Sequence, residues 1–361
     1  MNYIQYGTNA NATEIKNFLK HVLDTNENVK RKTPVCIWGN HGIGKTEMVE
    51  TFAEANGFSF AYIAPAQFEE MGDLVGMPKI VDGKTVFAAP NWVPTTEEKG
   101  ILLIDDVNRA DDRILRGIMQ LLQNYELVSW KLPQKWQIVL TANPDGGDYS
   151  VTPMDDAMLT RMLHVTMIFE VKNWARWASE NDIHEDCINF VLTHPEVVTG
   201  ERTTPRTLVQ FFQNIQAIED WQSNLGLIQM LGDATLDAQT VASFIAFVQN
   251  DMQLLLSPME VLDAEDFEDE VENRLYDLVV GDSLRIDILA TICTQLIETA
   301  TNTNFQPTDF QLENLKSFIK LDFLPDDLRL TFAQDLVGSE KERLKTILMD
   351  AEIGRLVLSR V

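Results

Sequence analysis

Eight consecutive residues, Gly39-Asn40-His41-Gly42-Ile43-Gly44-Lys45-Thr46, follow the pattern G-x-x-x-x-G-K-[ST]. Glycines at these positions let backbone N–H groups turn inward around phosphate oxygens. A helix opening at Lys45 adds the partial positive charge of its N-terminus. Lys45 supplies a point charge to the β- and γ-phosphates, and Thr46 a hydroxyl to Mg²⁺. The whole loop, Gly39 to Thr46, is therefore expected to bind ATP with Mg²⁺. Further along, Ile101-Leu102-Leu103-Ile104 runs into Asp105-Asp106. Carboxylates at the C-terminal end of a buried strand face a ligand crevice. Asp105 is expected to hold Mg²⁺ through its waters, and Asp106 to orient and polarise an attacking water. Asp is also a common helix N-cap, but Asp111 or Asp112 suits that role better.

These groups need a scaffold, and the pattern supplies one. Pro34 to Trp38, Phe58 to Ala64, Ile101 to Ile104, Gln137 to Thr141 and Leu163 to Phe169 read as short apolar strands. Helical spacing runs over Thr13–Leu23, Lys45–Ala55 and Asp111–Asn124, the last with Ile114, Leu115, Ile118, Leu121 and Leu122 on one face. Strands alternating with helices at this spacing predict a parallel sheet covered by helices. Ile101–Ile104 is apolar throughout, as a strand buried on both faces should be. After about residue 171 strand signals stop, and helical patterns continue with breaks at His194-Pro195, Thr204-Pro205 and Ser257-Pro258. Asp263–Glu272 holds seven acidic residues in ten, as an exposed linker or the solvated face of a helix would; Phe267, Val271, Leu275 and Leu278 favour the start of a helix.

Composition narrows the function classes. The 361 residues carry a formal net charge of −26, with 45% hydrophobic and 23% charged residues. Such a surface repels phosphate backbones and anionic membranes, so nucleic-acid binding is disfavoured. Three separated cysteines, Cys36, Cys187 and Cys293, form no CxxC pair and fit a reducing compartment. No apolar run reaches the ~20 residues of a membrane span, and the start lacks the pattern of a secretory signal. The expectation is a soluble, cytoplasmic protein. His184, Cys187 and His194 match no zinc spacing, and no GxSxG or HExxH motif occurs.

Several segments together resemble the AAA+ ATPases, and within them the MoxR family. Asp105-Asp106-Val107-Asn108-Arg109-Ala110 is similar to that family's D-E-I-N-R-A signature, and Asp73-Leu74-Val75-Gly76-Met77-Pro78 to its D-L-x-G-x-P segment. Thr141-Ala142-Asn143-Pro144 resembles its sensor-1 strand end. Asp156-Ala157-Met158-Leu159-Thr160-Arg161 resembles its arginine-finger segment, and Thr204-Pro205-Arg206 its sensor-2 segment. The resemblance covers about residues 30–250. It implies a P-loop α/β AAA+ core over 1–171 with an insert at about 69–94. An all-α lid over 172–260 and a helical C-terminal region over 261–361 would follow.

The resemblance assigns roles as well. Asn143 would hydrogen-bond the lytic water or γ-phosphate. Arg161 would project into a neighbouring subunit's nucleotide, and Arg206 would sense the γ-phosphate from the lid. Arg109 is either an intersubunit contact or one half of a structural ion pair. A finger acting in trans implies a homo-oligomeric ring, most often a hexamer. MoxR-type proteins remodel protein clients beside a partner with a von Willebrand A domain. One departure stands out: the family has Glu where this chain has Asp106. Asp is one methylene shorter, about 1.2–1.5 Å of reach, and a misplacement of about 1 Å costs on the order of 10²-fold in rate. Slow hydrolysis is expected, with nucleotide binding intact. Two other readings compete: a nucleotide-gated ring scaffold that hydrolyses little, and a nucleic-acid translocase, which the net charge opposes.

Overall fold

The structure is a computed structural model. It describes all residues except 1–5, 27, 28, 30, 145–150, 200, 201, 251–255, 281–283, 303, 304, 340 and 359–361. The chain divides into two compact units: residues 1–173 with Thr204–Arg206, and 174–203 with 207–361.

In the first unit, β1 (Thr8–Ala10) leads into α1 (Ala12–Asn26). β2 (Val35–Trp38) runs through the glycine-rich loop into α2 (Lys45–Ala55), and β3 (Ser59–Ile63) follows. The short α3 (Met71–Val75) precedes an antiparallel hairpin, β4 (Met77–Val81) and β5 (Lys84–Ala88). Then come β6 (Gly100–Ile104), α4 (Asp112–Asn124) and a second small hairpin of β7 (Glu126–Leu127) and β8 (Trp130–Lys131). β9 (Trp136–Ala142), α5 (Asp156–Leu159) and β10 (Leu163–Met167) complete the unit.

The six-stranded sheet has the order β1-β10-β2-β9-β6-β3, with every neighbouring pair parallel. Both faces are covered, which is why its strands read as unbroken apolar runs. Val35, Ile37, Ile101, Leu103 and Val139 pack with Ile15, Leu19 and Phe52 of α1 and α2. The alternate residues Cys36, Trp38, Leu102, Ile104, Ile138 and Leu140 pack with Ile114, Ile118 and Leu121 of α4. The three-residue β1 was not legible in the sequence, because it is too short to show alternation.

Register brings the functional ends together. Trp38 pairs with Ala142, and Ile104 with Leu140. The loops leaving β2, β9 and β6 therefore start side by side, with β9 in the middle. The insert after α3 is a true hairpin, turned by Asp82-Gly83 with φ of 50° and 73°. An Asp-Gly pair is well suited to such left-handed turns. Gly76 opens it at φ 92°, where an added Cβ would sit 1.8 Å from the Ala88 carbonyl oxygen.

The second unit is helical among its described residues. Phe190, Phe211, Phe212, Phe244 and Phe247 are fully buried and form edge-on or tilted ring contacts. A further core runs from Leu256 to Ile353, including Leu289, Ile292, Leu296, Leu315 and Phe318. The acidic stretch does begin a helix: a π-helical turn over Glu268–Glu272 leads into Asn273–Val279, with Val271 and Leu275 buried. No described helix is long and apolar enough to cross a membrane.

Gly100 tests the sheet packing. A Cβ there would lie 2.6 Å from the indole of Trp136, its strand partner. Trp136 is 2% exposed and its Nε1 donates to the Thr96 carbonyl at 2.9 Å, so the ring is held in place. Gly100→Ala should lower stability by about 1–3 kcal/mol, the usual cost of overpacking. Thermal or chemical unfolding of the variant measures this.

Candidate functional site

The loop Gly39–Thr46 leaves β2 with the Gly39 N–H donating to the Ala142 carbonyl of β9 at 3.2 Å. Lys45 opens α2 but its side chain turns back under the loop. Its Nζ donates to the carbonyls of Gly39 at 2.7 Å and Asn40 at 3.0 Å, and to Asn143 Oδ1 at 3.2 Å. Lys45 is 6% exposed. Burial pushes its ammonium down to about 8 against the pull of Asp106 and Asp105, with Arg206 and Arg109 adding repulsion. A buried cation needs such oxygens to offset its lost hydration. Gly44, at φ 89°, has no atom within 4 Å of where a Cβ would project.

Asp105 sits just beyond β6. Its Oδ1 accepts from Thr46 Oγ1 at 2.7 Å and from Thr141 Oγ1 at 2.6 Å, and its Oδ2 from the Tyr62 hydroxyl at 3.1 Å. A threonine hydroxyl against a carboxylate is a hard-oxygen donor pair of the kind Mg²⁺ prefers. Thr46 and Asp105 thus fit the metal role expected of them.

Asp106 lies next to it in the left-handed region, φ 46° and ψ 45°. Its N–H donates to Thr141 Oγ1 at 2.8 Å. Its Oδ1 accepts from Asn143 Nδ2 at 3.0 Å, and its Oδ2 lies 3.5 Å from Arg109 Nε. Asn143 therefore spans Lys45 and Asp106, its oxygen toward the ammonium and its nitrogen toward the carboxylate. The backbone of Asn143 is clamped in turn by Asn108, which is fully buried. Asn108 Nδ2 donates to the Asn143 carbonyl at 2.7 Å, and the Asn143 N–H donates to Asn108 Oδ1 at 3.1 Å. Arg109 here is a local ion-pair partner of Asp106.

Thr204 and Arg206 also reach the loop. The Arg206 N–H donates to the Gly42 carbonyl at 3.0 Å. Gly42 adopts φ 72°, and a Cβ there would meet Thr204 Oγ1 at 2.7 Å, so the close approach requires glycine. Burial lowers the pKa of His41, and the nearby charges of Lys45, Arg109 and Arg206 act in the same direction. Arg161's guanidinium donates to the Ala157 carbonyl of its own segment, and no described hydrogen bond or ion pair joins it to the residues above.

Among the expected residues, the structure thus joins Gly39, Gly42, Lys45, Thr46, Asp105, Asp106, Asn143 and Arg206. Asn40 contributes its carbonyl, and Ile43 packs against the core beside α2. His184 caps a helix, its Nδ1 accepting from the Asp186 N–H at 3.3 Å, and Cys187 is buried. Tyr62 and the roles of Thr141 and Asn108 were missed. The β3–β6 pairing, Tyr62 opposite Leu103, is the signal that would have found Tyr62. Burial pushes its phenol up to about 12, and the Asp105 charge adds to this, so it stays a donor.

A parallel sheet with its glycine-rich loop, paired carboxylates and central asparagine on adjoining strand ends is a P-loop AAA+ fold, followed by a helical region. Residues 34–162 match the family model of the AAA domain of the dynein-related subfamily. Over 139 residues the chain is 24% identical to midasin of Giardia intestinalis, covering 37% of this chain and 3% of midasin. The matched segment is a small fraction of that relative's length. Solved structures with a similar course include the Thermotoga maritima RuvB Holliday junction branch migration motor. It is 14% identical, with a TM-score of 0.38 over 70% of this chain and 74% of that one. Another is Hsp104 in its closed state with ATPγS and casein, 13% identical, with a TM-score of 0.43 over 61% of this chain and 46% of that one.

The buried ammonium has a measurable signature. Lys45 titrates near 8 when folded, against an ordinary 10.5. Below the folded value both states are charged and the full burial cost is present; above the unfolded value neither is charged. The unliganded protein should therefore gain stability relative to Lys45→Met as pH rises between these values, and lose it as pH falls. Denaturant unfolding of both proteins across that window measures the difference. A flat difference would mean that the lysine is solvated.

Proposed function

We propose that this chain is a MoxR-type AAA+ ATPase that binds ATP at Gly39–Thr46 and hydrolyses it. It assembles as a homo-oligomeric ring, a hexamer, in the cytoplasm. It remodels a protein client beside a partner carrying a von Willebrand A domain. Residues 1–171 act as the nucleotide core, 172–260 as its lid and 261–361 as a helical extension. One observation carries the catalytic reading: the continuous chain Lys45–Asn143–Asp106 beside the Thr46–Asp105 pair. The family resemblance of the 73–78, 105–110, 156–161 and 204–206 segments supports the remainder.

Lys45 would release its carbonyl partners to meet the β- and γ-phosphates. Held by Thr46 and Asp105, Mg²⁺ would supply charge neutralisation at those phosphates. Asp106 would accept a hydrogen bond from the attacking water and polarise it, and Asn143 would fix both the water and the carboxylate. Arg206 lies beside Gly42, where it can report the γ-phosphate. Arg161, absent from its own site, is free to serve a neighbour's and stabilise charge in the transition state.

The short carboxylate has a backbone reason. Asp tolerates a left-handed conformation better than Glu does, and Asp106 is left-handed. Its oxygens are also held by Asn143 and Arg109, which favours the second reading, a ring scaffold with little turnover. Asp106→Glu separates the two. The longer side chain should raise kcat about tenfold, near 1.4 kcal/mol of barrier, with nucleotide affinity nearly unchanged. It should also lower stability by up to about 1 kcal/mol, the strain of a longer residue at this backbone. Steady-state turnover and unfolding midpoints give both quantities. Normal wild-type turnover with a slower Glu variant would remove the scaffold reading.

The trans role of Arg161 is tested by mixing. Arg161→Ala and Asp105→Ala proteins should each be inactive, and co-assembly should restore part of the activity through interfaces that combine two intact halves. Inactive mixed rings, with co-assembly confirmed by native mass spectrometry, would overturn the shared site.

A further inference from the structure

We propose that Tyr62 is a positioning residue for the metal carboxylate: its hydroxyl pins the oxygen of Asp105 that the two threonines leave unheld. The inference rests on the ATPase reading above. Thr46 and Thr141 both donate to Oδ1 of Asp105, at 2.7 and 2.6 Å. With only these, the carboxylate could still rock about its own bond. The Tyr62 hydroxyl donates to Oδ2 at 3.1 Å and closes that freedom.

The backbone is built to deliver it. β3 lies at the edge of the sheet and pairs with β6, Tyr62 opposite Leu103. One residue on, the Asp105 N–H donates to the Ile63 carbonyl at 2.8 Å, which fixes the distance between the two strand ends. Ile63 turns into the core, and Tyr62, one position earlier, takes the opposite face. Tyr62 is 45% exposed. A residue that far in the open contributes modestly to packing, and an edge strand gains nothing from a phenolic hydroxyl. That hydroxyl's described contact is Asp105. Mg²⁺ demands near-ideal octahedral geometry, and groups that orient a ligand carboxylate commonly govern metal affinity.

The test uses the full chain, a fluorescent ATP analogue and Mg²⁺. Nucleotide affinity is measured in EDTA and then across a Mg²⁺ titration, for wild type, Tyr62→Phe and Asp105→Asn. Tyr62→Phe keeps the ring, so the unfolding midpoint should stay that of wild type. Its affinity in EDTA should also stay, while the Mg²⁺ concentration needed for half of the metal-dependent gain should rise roughly tenfold, as for loss of one orienting hydrogen bond. Asp105→Asn should lose most of the metal-dependent gain. An unchanged Mg²⁺ requirement in Tyr62→Phe overturns the proposal. Equal weakening with and without metal also overturns it, since Tyr62 would then serve the nucleotide or the fold. Failure of the wild type to bind nucleotide under either condition overturns the ATPase reading itself.

Discussion

An ammonium group shut away from water needs oxygen around it, and the glycine-loop end of this sheet is organised by that need. Lys45 finds two carbonyls of its own loop and the side-chain oxygen of Asn143, just beyond β9. The third partner exists because β9 lies between the strand that launches the loop and the strand that ends in the carboxylates. Asn143 is thereby placed where a single amide can face a cation on one side and an anion on the other. An amide is suited to this: it is neutral, so it separates the charges, and it has one acceptor and one donor end. Asn108 then holds the backbone of Asn143 from below with the same amide chemistry. Buried and fully paired, such a network is rigid.

The parts written in contiguous residues were legible in the sequence. The loop from Gly39 to Thr46, the buried run into Asp105, and the helices α2 and α4 each carry their signal within a dozen positions. The match of residues 34–162 to an AAA domain spans these same parts. What escaped depends on strand order and register, which a single chain does not print. Tyr62 meets Asp105 across a pairing of two strands far apart in sequence. Thr141 serves Asp105 and the Asp106 N–H together only because β9 neighbours β6. β1 escaped for another reason, since three residues at an edge carry too little periodicity to be seen.

Asp106 shows how a departure from a family pattern gains meaning from backbone geometry. Read as a side chain, it is one carbon shorter than the Glu of the pattern that this segment resembles. Read as a backbone position, it turns the chain left-handed between a strand and a 3₁₀ turn. Its N–H is spent on Thr141, and its carboxylate faces both Asn143 and Arg109. Residue choice there answers to conformation as well as to reach. The second unit presents the opposite case: its helical periodicity was plain, and its aromatic and aliphatic cores form as the apolar spacing demanded, yet packing of that kind names no chemistry.

The charge of the chain also has a kinetic consequence. A body of net charge −26 repels a polyanion such as ATP at a distance. Close to the loop, Lys45, Arg109 and Arg206 act together on His41, with Asp106 opposing them. Charges beyond roughly the Debye length, about 8 Å at physiological ionic strength, are largely screened. Added salt therefore screens the repulsion of distant charges first. An anionic ligand would accordingly associate faster at moderate salt, the reverse of an electrostatically steered encounter, and a long polyanion is disfavoured by the same net charge.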